Sequence, residues 1–411
     1  MNLIKLSWKN LAHKPLNTFL SLLLFGLGVG LVIFLFLVQT QVQDKFDKNL
    51  AGIDLVIGAK GSPLQLILCS MYHIDSPTGN ISLEEAAPFM RQGHPLIQRA
   101  VPLSLGDNYK GFRVVGTTHE FVHLYRDSIG QGRLWDKPME VTLGANAAAE
   151  LGLKIGDSFQ SAHGLVNDET LKHSDADGFE VVGILAPAGS VIDQLILTAT
   201  ESIWQVHEGH GEEEEHEHEE GEEHEEEAEQ EITSLLIQFK SKTNFQALNM
   251  ARGINENTNL QAASPSWEIS SIREQLGLGV NALQVLAYVI VAVSAMSIFI
   301  SLFSSLRERR YELSLMRVMG ASRRKLFAMI LMEGLVLASL GFLLGFLLSH
   351  LSMQLLAGYM QESFRYSFTG MTFLWAELLV LAGALLTGLL AALLPALQAS
   401  RTDISQTLSA S

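Results

Sequence analysis

Apolar residues gather into four long runs, roughly Thr18–Val38, Leu283–Leu306, Leu326–Ser349 and Leu374–Leu397. Crossing a bilayer as helix takes about 20 such residues. No run carries Lys, Arg or Asp inside it, and Glu333 and Glu377 lie only near run ends. The pattern predicts a membrane α-helical protein with four transmembrane helices, spanning 18–38, 283–306, 326–349 and 374–397. Between the first two runs, 39–282 mixes short alternating stretches with helical ones, which predicts a large extracytoplasmic α+β module.

Within that module the predicted strands are Asp54–Gly58, Phe112–Gly116, Met139–Leu143, Phe179–Leu185, Gln194–Ala199 and Thr233–Phe239. Leu153–Phe159 reads as strand, turn, strand. Ser82 with Glu85 has the form of a capping box opening a helix, and Ala145–Leu151 and Phe245–Asn255 read as further helices. Val42–Leu50 continues a helix out of the first run. The β-rich part, about 116–200, suits a small barrel or sandwich, and the module is long enough for two compact domains.

Charge orients the runs. Lys5, Lys9 and Lys14 precede the first, in a segment 1–17 that reads as an amphipathic helix with Trp8 at the interface. The connection 307–325 holds Arg307, Arg309, Arg310, Arg317, Arg323, Arg324 and Lys325 against Glu308 and Glu312. Arg401 follows the fourth run, in the tail 398–411, whereas the loop 350–373 holds only Arg365 with Glu362. The basic segments share one side of a four-pass chain, so both termini and the 307–325 connection are expected in the cytoplasm. That connection still alternates like a helix through Leu313, Met316, Val318 and Met319. At Met319–Ser322 it stops and restarts, Gly320 suiting a left-handed helix end and Ser322 an N-cap. The first run has no small-x-small cleavage site after it and reads as a signal anchor. Gly26 with Gly30, and Gly341 with Gly345, form GxxxG pairs, either a thin face against any neighbour or a dimer seam.

Composition adds little except in one place. The chain is 48% hydrophobic with mean hydropathy +0.22, and its net charge is −16. Fifteen Glu fall in the single stretch 207–231, without which the remainder is nearly neutral. This stretch lacks apolar anchors and reads as a disordered loop. His207, His210, His216, His218 and His224 lie among its glutamates, a donor set suited to zinc or another transition metal. A solvated loop with no metal role accounts for it equally well. His119 and His123, spaced i, i+4, read as surface residues rather than a ligand pair, and His350 as an interfacial residue. Cys69 is the only cysteine, so no intrachain disulfide forms, and it reads as a small buried residue. No G-x-x-x-x-G-K-[ST], G-x-S-x-G or H-E-x-x-H occurs, so no catalytic residues are assigned and no cofactor is expected for catalysis.

Three stretches carry a family resemblance: Ser7–Leu11 with Lys14, Asn17 and Thr18; Arg310–Ser322 with Glu333 and Gly334; and Leu394–Ala396 with Ala399–Arg401 and Asp403. Leu143–Ala145, Leu151–Leu153 and Ile155–Asp157 match more loosely. Together they resemble the permeases of mechanotransmission ABC transporters, the group of macrolide-export MacB, lipoprotein-release LolC/LolE and cell-division FtsX. The resemblance implies a porter-like part plus a β-rich inserted part outside the bacterial inner membrane. It implies a separate cytoplasmic ABC ATPase, and a second permease copy or a related permease. It also implies a coupling helix at Glu312, Leu315, Met316, Arg317, Met319, Gly320, Ala321 and Ser322. The chain itself is then no enzyme. Expected cargo is a lipoprotein, peptide or hydrophobic molecule at the outer face. An FtsX-like signalling role is the alternative. Membrane lipid and a periplasmic lipoprotein or metal-binding protein are further expected partners, and nucleic acid is not. The His/Glu stretch departs from the family pattern and hints at a metal-linked subgroup.

Overall fold

The computed structural model describes residues 15–125, 128–163, 178–208, 230–241, 243–364 and 368–401. It divides into a helical unit, Met1–Val42 with Gln275–Ser411, and a sheet unit, Gln43–Glu274. The elements in chain order are α1 (Pro15–Asn49), β1 (Leu55–Ala59), α2 (Pro63–Tyr72), β2 (Ile81–Ser82), α3 (Leu83–Met90), β3 (Ile97–Tyr109), β4 (Phe112–Thr117), α4 (His119–Leu124) and β5 (Ile129–Gly132). Then come β6 (Glu140–Leu143), α5 (Ala145–Leu151), β7 (Ser158–Phe159), β8 (Ala162–His163), β9 (Phe179–Leu185), a 3-10 turn (Val191–Gln194), β10 (Ile196–Ala199) and α6 (Thr200–Glu208). The rest are β11 (Glu231–Ile232), β12 (Ser234–Phe239), α7 (Phe245–Asn257), β13 (Leu260–Ala263), α8 (Pro265–Glu308), α9 (Arg310–Val318), α10 (Arg323–Phe364) and α11 (Trp375–Ser400).

Among the described residues, four helices are long and apolar enough to cross a membrane, namely α1, α8, α10 and α11. Their shared core draws Phe25, Val29, Ile33 and Leu37 from α1, Ile298 and Leu302 from α8, Leu337 and Ala338 from α10, and Ala384 and Ala392 from α11. Both GxxxG pairs lie in one seam inside this core. A Cβ placed on Gly30 would meet the Gly345 carbonyl at 2.9 Å, and one on Gly345 would meet Gly30 N at 2.8 Å. The small residues therefore let α1 and α10 touch backbone to backbone within one chain. A second seam joins α10 to α11, where Gly334 and Gly388 face one another.

In the sheet unit the strands run β13-β1-β12-β3-β4-β10-β6-β9-β5, with β7 on β9 and β8 on β3. Pairing is parallel for β10 with β4 and β6 with β9, and antiparallel elsewhere along this path. The central strands are apolar on both faces because both faces are covered. On β12, Leu236 points to one core while Leu235, Ile237 and Phe239 point to another. The first core reaches from Val56 and Ala263 through Val101, Leu103, Val115 and Leu197 to Val182 and Leu185, leaving the edge strand β5 exposed. The opposite face divides. Leu55, Ile57, Leu235 and Ile237 pack under α3 and α7, whereas Phe112, Val114, Val141, Leu143 and Phe179 pack under α5 and α6.

Most predicted strands and helices recur within a residue or two, including Ser82, whose Oγ accepts from Glu85 N at 3.2 Å. Three expectations change. The strands of 116–200 form no separate barrel or sandwich but join the same sheet as β1, β12 and β13, because Ile196↔Val114 pairing stitches β10 onto β4. Residues 43–274 accordingly make one compact unit rather than two. Leu153–Ile155 is a turn-entry segment without strand pairing, since Lys154 N is tied to Asp157 Oδ2 at 2.8 Å.

Candidate functional site

Helix α9 is cut from α8 by the single residue Arg309, at φ −98° and ψ 15°. Its inner face is fixed by burial: Leu313 joins Leu306, Leu326, Met329, Ile330, Ala396 and Ala399, with Met316 packed alongside. Ser314 is buried as well. The outer face is apolar yet exposed, carrying Tyr311 (52%), Leu315 (43%), Val318 (59%) and Met319 (73%). These positions are i, i+4, i+7 and i+8, one stripe of a helix. Exposed Arg310 and Glu312 border the stripe, as do Arg323, Arg324 and Lys325 beyond the turn.

The turn after α9 is built from backbone geometry. Ala321 N donates to Met316 O at 2.9 Å, Gly320 N donates to Arg317 O at 3.0 Å, and Gly320 has φ +97°. That is the paired bonding of a Schellman end, which needs a left-handed residue and so favours glycine. Ser322 then starts α10, its Oγ accepting from Lys325 N at 3.3 Å. The predicted stop and restart is present in this form.

Two charges tie α9 to the next helix. Arg309 Nε lies 3.1 Å from Glu312 Oε2, and Arg309 Nη1 lies 3.5 Å from Glu333 Oε1 on α10. Glu333 is only 2% exposed. Burying a carboxylate is costly, and a nearby cation offsets part of that cost. Of the residues read from sequence as coupling positions, Leu315 and Met319 are on the exposed stripe and Glu312 at its edge. Met316 packs inward, Arg317 is half-buried, and Gly320, Ala321 and Ser322 form the turn. Tyr311 and Val318 belong to the stripe too. Their 3.6-residue spacing from Leu315 was the signal that would have included them.

The other candidates fall elsewhere. His210, His216, His218 and His224 lie outside the described residues, as does the side chain of His207, which sits in the last turn of α6. Among the described residues no group of three or more His, Cys, Asp and Glu is placed to hold a metal. His119 is engaged by the Trp135 carbonyl, 2.7 Å from its Nε2, and packs edge-on against the Trp135 ring. Cys69 is buried, which pushes its thiol pKa up. His350 is half-buried and engaged on both sides of its ring: Nδ1 meets Gly370 O, and Nε2 lies 3.5 Å from Glu377 Oε1.

Comparison with known proteins bears on both units. Residues 285–404 match the family model of the FtsX-like permease C-terminal region, and residues 18–251 match that of the MacB-like periplasmic core domain. Among solved structures, the chain is similar to the extracellular domain of the noncanonic ABC-type transporter YknZ from Gram-positive bacteria. That match has 11% identity and TM-score 0.31, covering 51% of this chain and 98% of that one. A domain described as part of a permease protein of Porphyromonas gingivalis matches at 11% identity and TM-score 0.26, covering 52% of this chain and 86% of that one. No curated protein matches. With one model spanning more than half of the chain and the other spanning the helices that flank α9, the chain belongs to the MacB/FtsX-like permeases of ABC transporters.

Proposed function

We propose that this permease receives work from a separate cytoplasmic ABC ATPase docked on the exposed stripe of α9, and passes it through its helices to a sheet unit on the far side of a bacterial inner membrane. Both termini face the cytoplasm in this arrangement. The observation that carries the reading is the α9 stripe itself. Tyr311, Leu315, Val318 and Met319 are apolar, exposed and rimmed by basic residues, on a short helix whose other face is locked into the bundle. An apolar center with a charged rim is the make-up of a docking surface. The same stripe in lipid would put Arg310, Arg323 and Arg324 at hydrocarbon depth, at a prohibitive cost.

The work delivered moves the sheet unit, which handles a lipoprotein, peptide or hydrophobic cargo at the outer face. Two permeases, identical or related, share the assembly. The His/Glu stretch contributes zinc binding only as an accessory. The test is to purify the full chain with its co-expressed ATPase after Leu315→Asp or Met319→Asp. Both substitutions lie on the exposed stripe and leave the buried face untouched, so the chain remains folded while the ATPase is lost. Retention of the ATPase at wild-type stoichiometry by both variants overturns the assignment of α9.

A further inference from the structure

The connection from α10 to α11 carries three large apolar side chains into the open on a braced frame. From Gly370 to Trp375 the chain alternates. Gly370 is buried and Thr372 and Leu374 half-buried, whereas Met371, Phe373 and Trp375 are 89%, 61% and 84% exposed. Every second side chain along this segment is thus turned outward. The bracing comes from three helices. Gln41 of α1 donates from Nε2 to Thr369 O at 2.8 Å and to Thr372 Oγ1 at 3.1 Å, and its Oε1 accepts from Thr369 N at 3.0 Å. Gln354 of α10 accepts from Gly370 N at 3.0 Å, while His350 holds the Gly370 carbonyl. Glu377 of α11 accepts from Leu374 N at 3.2 Å. Gly370 lies so close to α10 that a Cβ there would come within 2.9 Å of Gln354 N.

A loop tied at this many points does not expose its side chains through slack. Water gives no reason to hold methionine, phenylalanine and tryptophan outward together. Their surroundings do. Trp375 is the first residue of α11, and the exposed Leu378, Leu379, Leu386 and Leu390 continue from it along one side of that helix. This is the side that a membrane-crossing helix of this kind gives to lipid. Indole, with an apolar body and one N–H donor, settles at the boundary between headgroups and acyl chains.

We propose that Met371, Phe373 and Trp375 form a rigid apolar finger seated in that boundary layer, extending the lipid-facing side of α11 and fixing the depth at which the helix enters the membrane. The occupant of the surface is the bilayer itself. The proposal is independent of the docking role of α9 and stands or falls without an ATPase present.

The experiment uses the full chain in phosphatidylcholine vesicles, with lipids brominated either near the headgroup or near the methyl terminus. Tryptophan emission of the wild type should be quenched more by the headgroup-proximal bromines, and Trp375→Phe should lose that component. Because Trp375 is exposed, this variant leaves the core intact. A nitroxide on Met371→Cys gives the second reading, Cys69 being buried beyond the reagent. Its collisions with oxygen should exceed those with a water-soluble nickel chelate, relative to the same label on Phe245→Cys of the sheet unit. Equal quenching in wild type and Trp375→Phe, or a Met371 label as chelate-accessible as the Phe245 label, overturns the proposal. So does a Met371 label shielded from both reagents, which would mean that a protein covers the finger.

Discussion

Replacing Gly345 by alanine tests the seam between α1 and α10 directly. The added methyl would lie 2.6 Å from the Gly26 carbonyl oxygen, 2.8 Å from Gly30 N and 3.2 Å from Val29 Cβ. Two of these are backbone atoms of a helix and cannot rotate aside. Bringing the closest contact out to an ordinary 3.4 Å means parting the helices by about 0.8 Å. A gap of that order forfeits roughly a quarter to a half of the dispersion energy of the atoms facing it. Phe25, Val29 and Ile33, all at most 2% exposed, line the same stretch of α1. Overpacking of this kind costs about 1–3 kcal/mol. The control is Gly383→Ala on α11, where nothing lies within 4 Å of the new methyl. There the gain in helix propensity, up to about 1 kcal/mol, acts alone. The assay is retention of monodisperse protein after heating in detergent. Gly345→Ala and Gly30→Ala should both melt below wild type, and Gly383→Ala at or above it. Equal melting of Gly345→Ala and Gly383→Ala would refute the intrachain seam and return the GxxxG pairs to an interface between chains.

Two further outcomes follow from buried charge. Arg309→Met removes a cation from beside the buried Glu333 carboxylate and should lower thermal stability by up to about 3 kcal/mol, whereas Arg309→Met with Glu333→Met should recover most of the loss; a double variant no better than the single would show that the pair does not compensate that charge. In the sheet unit, burial first and the nearby Arg113 second lower the pKa of His73 from 6.5 to about 3. Unfolding then takes up a proton that the native state refuses. The contribution is fully present above pH 6.5 and is lost as pH falls toward 3, at up to about 1.4 kcal/mol per pH unit. His73→Gln should flatten the acid limb of a denaturant-melt pH series, and an unchanged limb would count against a neutral buried imidazole.

The sequence exposed what depends on neighbours along the chain. The four apolar helices, the Gly320 stop and the Ser322 restart all rest on local chemistry, and all are present. What it hid depends on distant partners. The run Pro63–Tyr72 is mostly apolar, interrupted only by Gln65 and Ser70, so its period does not separate helix from buried strand and does not mark α2. The pattern does not mark the thirteen-residue β3 because both of its faces are covered and its alternation is blurred by Pro102 and Gly106. Glu333 and Glu377 looked like end-of-span residues, and only the fold brings Arg309 and His350 to them. In the candidate site, the helix was legible but its outward face was not. Met316 and Met319 look alike in a string of letters, yet one is packed under Leu313 and the other stands in the open.

The uneven covering of the sheet has a mechanical consequence. One face is covered by a single cluster that draws on strands from β13 to β9, and the other by two clusters, joined at α6, where Ile203 and Val206 pack into one and Trp204 against the other. The single cluster shares its partners across many strands and comes apart only with the sheet, whereas the opposite clusters rest on different helices, α3 and α7 for one and α5 and α6 for the other. Amides of β12 and β10 should therefore exchange slowly and in step with global unfolding, and those of α7 and α5 earlier and independently of one another.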